Sequence, residues 1–306
     1  MQHNLFEWND NSSVVSAKPI SKDKTNIAKQ LALFFEILYA GKTPRINSDG
    51  VTSHEAVTGG SFQTISGGSM GFPKVLERTC ISWILSFNTN DKNYNLSGSR
   101  VALFGTLTHS LSLYGALEAL FLGCEVHHLA GLNPSSQLEY LENRKIEILY
   151  VTPTQLRLLL SAEYQNYLID SLRYVFIGGA SIEQKTLAEL SKIAPNAELK
   201  QFYGSSETSF ITISDLLTPV KSVGKAYPGV EIVLGDQPDK PVSTGEIGRV
   251  WVRSPYLFSK YVGENSLNLN SFSDWVSPGE LAKLDLDQNL FLLGRIDRIF
   301  KIMIKQ

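Results

Sequence analysis

Short apolar runs alternate with helix-like segments through the middle of the chain, from Arg100 to Gly204. Runs with the composition of buried strands occur at 101–104, 126–129, 146–151, 172–177 and 199–203. Helix-like segments lie between them, at 111–122, 136–145, 154–162 and 182–193. This repeated order of strand and helix predicts an α/β fold with a parallel sheet covered by helices. Right-handed crossovers would bring the loops after the strands to one edge, where ligands usually bind.

The pattern changes after Ser214, where short β-type runs are separated by Gly, Pro and Asp. These runs lie at 223–224, 230–234, 247–253 and 290–293. Residues 285–289 have the composition of a hairpin turn. We therefore expect an α/β region over 1–215, a smaller antiparallel or barrel-like β subdomain over 216–293, and a separate short segment over 294–306.

The pattern before the first apolar run is weaker. The first twenty residues are polar and irregular, and Thr25 is a candidate N-cap for a helix over 29–40 that ends at Gly41. Residues 42–61 are rich in Ser, Thr, Gly and Asp, so they are predicted to be loops.

Composition adds limits on the class of protein. The chain has 306 residues, a formal net charge of −2 and no long basic run, which argues against a nucleic-acid partner. Cys80 and Cys124 form no CxxC motif and are expected to be buried thiols in a reducing compartment. The apolar run 31–40 is too short to span a bilayer, and residues 1–10 do not resemble a secretory signal. A cytoplasmic protein is the expectation.

A Gly- and Ser-rich segment, 66–74, is the first candidate for chemistry. Glycines let a backbone curl so that several N–H groups point at one anion, and Lys74 adds a mobile positive charge. The segment is neither a Walker A loop nor a dinucleotide-binding fingerprint. Its spacing alone is also compatible with an ordinary flexible loop.

Three further segments carry candidate side chains. Residues 201–208 follow a predicted strand and include aromatic residues that can stack on a base, while Glu207 can hold Mg²⁺ or can be a charge at a helix N-terminus. In 277–280, Glu280 can accept two ribose hydroxyls or can be a solvated acid of a turn. In 294–301, Arg295 can reach a ribose or a phosphate, or can belong to a surface salt-bridge cluster.

Taken together and in order, these segments resemble the adenylate-forming superfamily, which includes acyl- and aryl-CoA ligases, luciferase and the adenylation domains of peptide synthetases. Residues 66–74 look like the family's loop ending in Gly-x-Pro-Lys, and 203–207 like its Tyr-Gly-x-Thr-Glu element. Residues 278–280 look like its Thr-Gly-Asp, and 294–297 match its Gly-Arg-x-Asp hinge. The connecting segments 151–154, 178–180, 223–225 and 228–230 fit as well. The resemblance implies the α/β N-terminal domain of that family.

The resemblance also implies roles for single residues. The β and γ phosphates of ATP would be held by Ser66, Gly67, Gly68, Ser69, Gly71 and Lys74. Adenine would be held by Gly179, Ala180, Gln201, Phe202, Tyr203 and Gly204. The remaining roles fall to Ser206 at the α-phosphate, Glu207 at Mg²⁺, Glu280 and Arg295 at the ribose, Asp297 at the hinge and His109 beside the substrate carboxylate.

The implied reaction joins a carboxylic acid to AMP. The carboxylate attacks the α-phosphorus of ATP, pyrophosphate leaves, and the mixed anhydride then reacts with the thiol of CoA or of a carrier protein's phosphopantetheine. The protein would act by positioning and charge neutralisation. ATP, Mg²⁺ and a small carboxylic acid are the implied ligands. The aromatic and aliphatic residues around His109 and Phe176 suggest an apolar acyl or aryl group.

Several positions depart from the family pattern. Met70 stands where Thr or Ser is usual, Glu280 replaces Asp, and Ile304 stands where a Gly usually follows the hinge. The family's mobile C-terminal domain, with its lysine for adenylation, would follow the hinge, so a shortened N-terminal domain without that lid is expected. The chain would be a fragment or a minimal form that relies on another protein. A nucleotide- or acyl-binding module with little catalysis, or a partner subunit, is the alternative function.

Overall fold

The computed structural model of the protein describes residues 5–17, 26–56, 59–66, 74–162, 164–263 and 271–296. The chain divides into two compact units, one of Met1–Leu199 with Ser259–Val262, and one of Lys200–Phe258 with Gly263–Gln306. The division after Leu199 precedes the expected boundary at residue 215. It falls there because the strand that begins beside it forms an antiparallel hairpin with the next strand.

The first unit contains six α-helices and ten strands that lie wholly or mainly within the described ranges. Its strands are β1 (Ser13–Ser16), β2 (Thr43–Asn47), β3 (Gly50–His54), β4 (Ser61–Ser66), β5 (Lys74–Thr79), β6 (Arg100–Leu103), β7 (Glu125–His128), β8 (Ile148–Val151), β9 (Tyr174–Ile177) and β15 (Lys260–Val262). Its helices are α1 (Ile27–Tyr39), α2 (Cys80–Tyr94), α3 (Ser110–Phe121), α4 (Pro134–Asn143), α5 (Pro153–Leu159) and α6 (Gln184–Ile193).

A parallel sheet of order β1-β7-β6-β8-β9 forms the centre of the first unit. Alternate residues of its strands face opposite ways, as a pleated sheet requires. Leu149 and Val151 join a buried cluster with residues of α4, α5 and α6, whereas Tyr150 approaches Gly115 of α3. Helices therefore cover both faces, and the predicted α/β architecture is confirmed.

A second sheet, of order β15-β5-β4-β2-β3, occupies the segment that was expected to be loops. The prediction for 42–61 was wrong because its polar residues pair across strands: the Arg45 Nε donates to the Gln63 side chain at 2.8 Å, and Gln63 is itself buried. Aromatic side chains fill the core beside this sheet, with Phe62 and Trp83 ring centroids 4.8 Å apart. Phe6, from the segment expected to be irregular, is fully buried in the same cluster.

Helix α1 begins earlier than expected because its cap is a different residue. Asn26 accepts hydrogen bonds from the N–H groups of Ala28 and Lys29, which satisfies two donors of the first turn. Thr25, the expected cap, lies outside the described residues. The helix ends at Tyr39, and Gly41 follows with a φ of 74°, as the position of a stop signal predicts.

The second unit consists of antiparallel strands in the ranges described. They are β10 (Glu198–Ser205), β11 (Ser209–Ser214), β12 (Lys225–Ala226), β13 (Glu231–Leu234), β14 (Gly248–Arg253), β16 (Ser271–Phe272), β17 (Trp275–Val276), β18 (Glu280–Leu284) and β19 (Leu290–Arg295). One sheet has the order β16-β17-β14-β18-β19 with β13 also on β14, and β10, β11 and β12 pair in series. The predicted antiparallel part is confirmed.

Two local predictions in this unit had different outcomes. Residues 285–289 connect β18 and β19 as a turn, in which Asp285 accepts bonds from the N–H groups of Asp287 and Asn289. The run 223–224 is not a strand, because Gly224 has a φ of 93° and its N–H turns back to the Ser222 hydroxyl. The strand begins one residue later, at Lys225.

Candidate functional site

The carboxyl edge of the parallel sheet carries the first group of predicted residues. His109 is exposed and occupies the N-cap position of α3, so it is not a buried core histidine. A Cβ at Gly105 would lie 2.5 Å from the Ser112 Oγ and 3.4 Å from the His109 Cδ2. Because Gly105, after β6, has no side chain, the start of α3 can approach this edge of the sheet closely.

A second group comes from the loops after β8 and β9. Thr152 and Gln155 form a reciprocal capping box at the start of α5, with bonds of 2.9 and 3.2 Å. The Gln155 Nε2 is 3.2 Å from the position of a Cβ on Gly105, and Gly179 lies near the Thr152 methyl group. The ends of β6, β8 and β9 thus converge. Gly105 and Gln155 had no predicted role, although the Thr-x-x-Gln spacing after an apolar run is a readable signal.

Gly179 and Ala180, predicted to hold adenine, follow β9 and are exposed at this same edge. Gly179 has a φ of 95°, a conformation that favours glycine. His127 and His128 are strand residues of β7, as expected. The His128 imidazole contacts the Gly105 carbonyl at 3.0 Å, and burial lowers its pKa while that contact opposes the shift.

The predicted phosphate segment joins β4 and β5. Ser66 lies opposite Lys74 in the register of these strands, and the Ser66 hydroxyl donates to the Lys74 carbonyl at 3.5 Å. Gly67, Gly68, Ser69 and Gly71 lie outside the described residues, as does Met70. β4 and β5 pair up to Ser66 and Lys74, so these two residues stand at the two ends of the connection between the strands.

In the second unit, Tyr203 meets two predicted residues from a hairpin much later in the sequence. Glu280 of β18 lies directly opposite Arg295 of β19 in the strand register. The Tyr203 hydroxyl, at the end of β10, donates a hydrogen bond to the Glu280 carboxylate. Burial, then the negative charge of Glu280 and this hydrogen bond, raise the pKa of Tyr203 well above its usual value, while Arg295 opposes the shift.

The turn before Glu280 is held by a buried serine. The Ser277 hydroxyl accepts from the Gly279 N–H at 3.2 Å and from the Arg249 Nε at 2.8 Å. The Gly279 carbonyl accepts from the Ile296 N–H at 2.9 Å, one residue beyond Arg295. Backbone and side-chain bonds on both sides therefore set where Glu280 and Arg295 lie. Asp297, the predicted hinge residue, is outside the described ranges.

Ser206 and Glu207 lie in the tight turn between β10 and β11. The Glu207 N–H donates to the Ser205 hydroxyl at 3.2 Å. The alternative interpretation of Glu207 as a charge at a helix N-terminus was wrong, because β11 follows the turn. A Cβ at Gly204 would lie 1.8 Å from the Ser209 carbonyl oxygen, so this hairpin tolerates only glycine there.

The rest of the predicted adenine strand packs within its own unit. The Phe202 ring makes an edge contact with Phe210, with centroids 4.8 Å apart. The Gln201 carbonyl accepts from the Ser214 hydroxyl at 3.1 Å. Among the residues that the structure describes, no group of three or more His, Cys, Asp and Glu side chains could hold a metal ion. No helix in the described ranges is long and apolar enough to cross a membrane.

The family model for AMP-binding enzymes matches residues 64–262. The chain belongs to the AMP-binding enzyme family. Both units contribute to the matched region, which begins in β4 and ends in β15. Glu280 and Arg295 follow it in the sequence, and their connection to the matched Tyr203 is made by the tertiary structure.

Curated relatives of this AMP-binding protein carry acyl-CoA ligase names. It is 34% identical over 235 residues to VraA of Staphylococcus epidermidis, named as a candidate long chain fatty acid-CoA ligase, covering 76% of this chain and 49% of that one. It is 31% identical to the uncharacterized acyl-CoA ligase YhfT of Bacillus subtilis, covering 76% and 48%. The chain thus spans about half the length of the curated relatives it matches.

Solved structures share the fold. The o-succinylbenzoate CoA synthetase MenE of Bacillus subtilis, in complex with ATP and magnesium, has a TM-score of 0.68 and 23% identity, covering 77% of this chain and 50% of that one. The luciferase-like enzyme of the mealworm Zophobas morio has a TM-score of 0.66 and 20% identity, covering 77% and 57%. The family match and the acyl-CoA ligase relatives confirm the expected membership of the adenylate-forming superfamily.

Proposed function

We propose that this chain is the nucleotide- and acid-binding part of an ATP-dependent ligase that converts a carboxylic acid to an acyl-adenylate with release of pyrophosphate. The observation that carries the proposal is the meeting of Tyr203, Glu280 and Arg295. A carboxylate and a guanidinium fixed side by side suit the paired hydroxyls of a ribose, since one accepts and the other donates hydrogen bonds. Glu280 and Arg295 belong to one hairpin, and Tyr203 comes from a strand far earlier in the sequence.

The ribose role is assigned to Glu280 and Arg295. A carboxylate has two oxygens and about four lone-pair sites, so the bond from Tyr203 leaves acceptor capacity on Glu280 for the two hydroxyls. Tyr203 holds that carboxylate in place, and its partly exposed ring would give adenine an apolar surface to pack against. Gln201, Phe202 and Gly204 on the same strand are further proposed adenine contacts, and the family resemblance assigns the same role to Gly179 and Ala180.

The phosphate role is assigned to Ser66, Lys74 and Ser206, with the glycines and Ser69 of the segment 66–74. Mg²⁺ would be held by Glu207 together with phosphate oxygens of ATP, an arrangement that fits an ion needing only one or two carboxylates from protein. When bound, Mg²⁺ neutralises negative charge on the leaving pyrophosphate. Lys74 and the Ser206 hydroxyl stabilise charge on the phosphate oxygens, and the substrate carboxylate attacks the α-phosphorus in line.

The acid would approach the carboxyl edge of the parallel sheet, where His109 is exposed at the start of α3. An imidazole at this place can donate a hydrogen bond to the substrate carboxylate. The long chain fatty acid in the name of the S. epidermidis relative supports an apolar acyl group as the substrate class. His109 thus orients the acid and forms no covalent intermediate in the proposed reaction.

The acceptor of the acyl group is proposed to be a thiol. The relatives' names as CoA ligases support CoA, and a carrier protein with phosphopantetheine is the second possibility. Residues 294–306, with Asp297, are proposed as the hinge to a further domain of the family. A reaction that consumes ATP also favours the cytoplasm as the site of action.

Hydroxylamine trapping tests the proposal, since acyl-adenylates react with hydroxylamine to give hydroxamates. The protein is incubated with ATP, Mg²⁺ and short-chain, long-chain or aryl acids, and hydroxamate and pyrophosphate are measured together. We expect both products in equal amounts with at least one apolar acid, and a strong loss of both in Glu280→Gln. Saturable ATP binding without either product, for every acid, would support the alternative of a binding module with little catalysis.

A further inference from the structure

Lys74 and Tyr261 form a contact that the proposed reaction does not yet use. The Lys74 Nζ lies 4.8 Å from the centroid of the Tyr261 ring, within the range of a cation–π interaction. Tyr261 is almost fully buried, with 9% of its surface exposed, whereas Lys74 is partly exposed. The ring is therefore a fixed surface, and the ammonium is the mobile partner held against it.

Strand register explains why these two side chains meet. β15 pairs antiparallel with β5, and Tyr261 lies opposite Leu76. Since side chains alternate between the faces of a sheet, Lys74 lies two residues from Leu76 on the same face as Tyr261. Such diagonal neighbours on adjacent strands are within reach when the side chains are long or aromatic. The contact thus follows from the pairing and not from a chance rotamer.

The opposite face of the same strands contains the groups that hold this register. The Lys260 Nζ lies 3.3 Å from the carboxylate of Glu77, which is 4% exposed, and the Gln63 amide donates to that carboxylate at 2.9 Å. The Ser259 N–H donates to the Glu77 carbonyl at 2.8 Å. A slip of one residue would break these bonds and turn Tyr261 to the other face. β15 is therefore secured on β5 independently of Lys74.

We propose that Tyr261 is a positioning residue that presents the Lys74 ammonium to the polyphosphate of ATP. This inference rests on the proposed function, in which Lys74 binds phosphate. The ring occupies one side of the ammonium, which has three N–H donors, and leaves donors directed away from the ring for phosphate oxygens. A lysine has a long flexible stem, so a surface that narrows its positions reduces the entropy lost on ATP binding.

Two substitutions distinguish the contribution of the Tyr261 aromatic ring from that of its hydroxyl. Tyr261→Phe keeps the aromatic face, and Tyr261→Leu removes it while keeping an apolar side chain. The dissociation constant for ATP is measured by titration calorimetry on the full chain, and the melting temperature confirms folding. We expect affinity to be near wild type in Tyr261→Phe and weaker by up to about thirtyfold in Tyr261→Leu, the equivalent of the rotamer entropy of one lysine side chain.

A second measurement needs neither ATP nor activity. Lysines are reductively methylated with ¹³C, and the Lys74 resonance is assigned by its loss in Lys74→Arg. The ring current of Tyr261 should shift this resonance upfield in the wild type and in Tyr261→Phe, and the shift should disappear in Tyr261→Leu. An unchanged resonance in Tyr261→Leu would show that the ammonium does not lie over the ring, and would overturn the inference even if that variant failed to bind ATP.

The outcomes for the two proposals differ. If the wild type binds no ATP, the proposed function fails and Tyr261 has no phosphate role. If the wild type binds ATP and Tyr261→Leu binds it equally well, only the positioning role is lost. Tighter ATP binding in Tyr261→Leu would mean that the ring sequesters the ammonium, which also contradicts the inference.

Discussion

Glu280 and Arg295 face each other directly across two antiparallel strands, β18 and β19. Their separation in the sequence is spanned by one hairpin, and a bulge between Leu281 and Ala282 adjusts the register beside them. The Tyr203 hydroxyl donates to the same Glu280 carboxylate from β10. A charged pair that is also hydrogen-bonded from a third strand is ordered before any nucleotide arrives, so it need not be organised by the ligand.

Glu280→Gln should weaken ATP binding and lower the pKa of Tyr203. The amide keeps the shape of the side chain but loses the negative charge that accepts hydroxyl hydrogen bonds, a loss of about 1.5–3 kcal/mol or roughly tenfold to a hundredfold in affinity. Titration calorimetry measures the affinity, and the ultraviolet absorbance of tyrosinate against pH follows Tyr203. Asp239→Asn, at an exposed carboxylate of the same unit, is the control and should change neither quantity.

A buried carboxyl on α3 predicts how stability changes with pH. Burial raises the pKa of Glu118 to about 7, although hydrogen bonds from Tyr150, Asn90 and Tyr114 act in the opposite direction. The unfolded chain has the ordinary value of 4.5, so between the two values the folded state binds more protons than the unfolded state. The stabilisation that this carboxyl gives the folded state is therefore fully present below about pH 4.5, and it is lost as the pH rises towards about 7.

Glu118→Gln should remove this pH dependence. The amide oxygen can still accept from Asn90, and the amide N–H can donate to a tyrosine oxygen, so the network around Tyr114 and Tyr150 persists. At pH 8 the free energy of unfolding should rise by up to about 3 kcal/mol, the equivalent of the raised pKa. Urea unfolding of the variant and the wild type at pH 5 and pH 8 measures this free energy. Parallel pH profiles for the variant and the wild type would contradict the assignment.

Gly204→Ala should destabilise the second unit. The added Cβ would lie 1.8 Å from the Ser209 carbonyl oxygen, so the turn that contains Ser206 and Glu207 must open. We expect a loss of at least about 2 kcal/mol in the free energy of unfolding, and weaker ATP binding as well. Gly59→Ala is a matched control because nothing lies within 4 Å of its added Cβ. A stable Gly204→Ala variant with normal ATP affinity would disprove the tight turn.

Neither cysteine should react in the folded protein. Burial raises the pKa of Cys80 and of Cys124 to about 12, and the Cys124 thiol donates to the Leu96 carbonyl. The thiolate is the reactive form, so a disulfide reagent should titrate no thiol in buffer and both thiols in urea. Fast release of one equivalent of chromophore from the native protein would be inconsistent with the buried sites.

The elements with regular hydrophobic spacing were predicted well. β6 to β9 and the helices between them lie within a few residues of the expected positions, because burial on both faces of a parallel sheet leaves continuous apolar runs. β2, β3 and β4 were missed. Their polar residues are buried through contacts such as Arg45 with Gln63 and Gln63 with Glu77, which join different strands and have no local spacing.

The candidate site also has a part that the sequence indicated and a part that only the structure showed. Local sequence made Lys74, Glu207, Glu280 and Arg295 candidates, because each stands in a short segment whose residue types suit phosphate, metal or ribose. The order of these segments, and the family resemblance that it carries, implied their roles. The sequence did not indicate which side chains these residues contact. Tyr203 meets Glu280 by a side-chain hydrogen bond between strands of two different sheets. Tyr261 meets Lys74 through the pairing of β15 with β5, which lie far apart in the chain.

Sequence by itself therefore determined the α/β class, the positions of the central strands β6 to β9 along the chain and the segments that carry candidate chemistry, since all three depend on periodicity and residue type over short windows. The tertiary structure alone decided which side chains touch. Strand register sets those contacts, within the hairpin β18–β19 and between β5 and the distant β15, and a shift of one residue would send Glu280 away from Arg295 and Tyr261 away from Lys74.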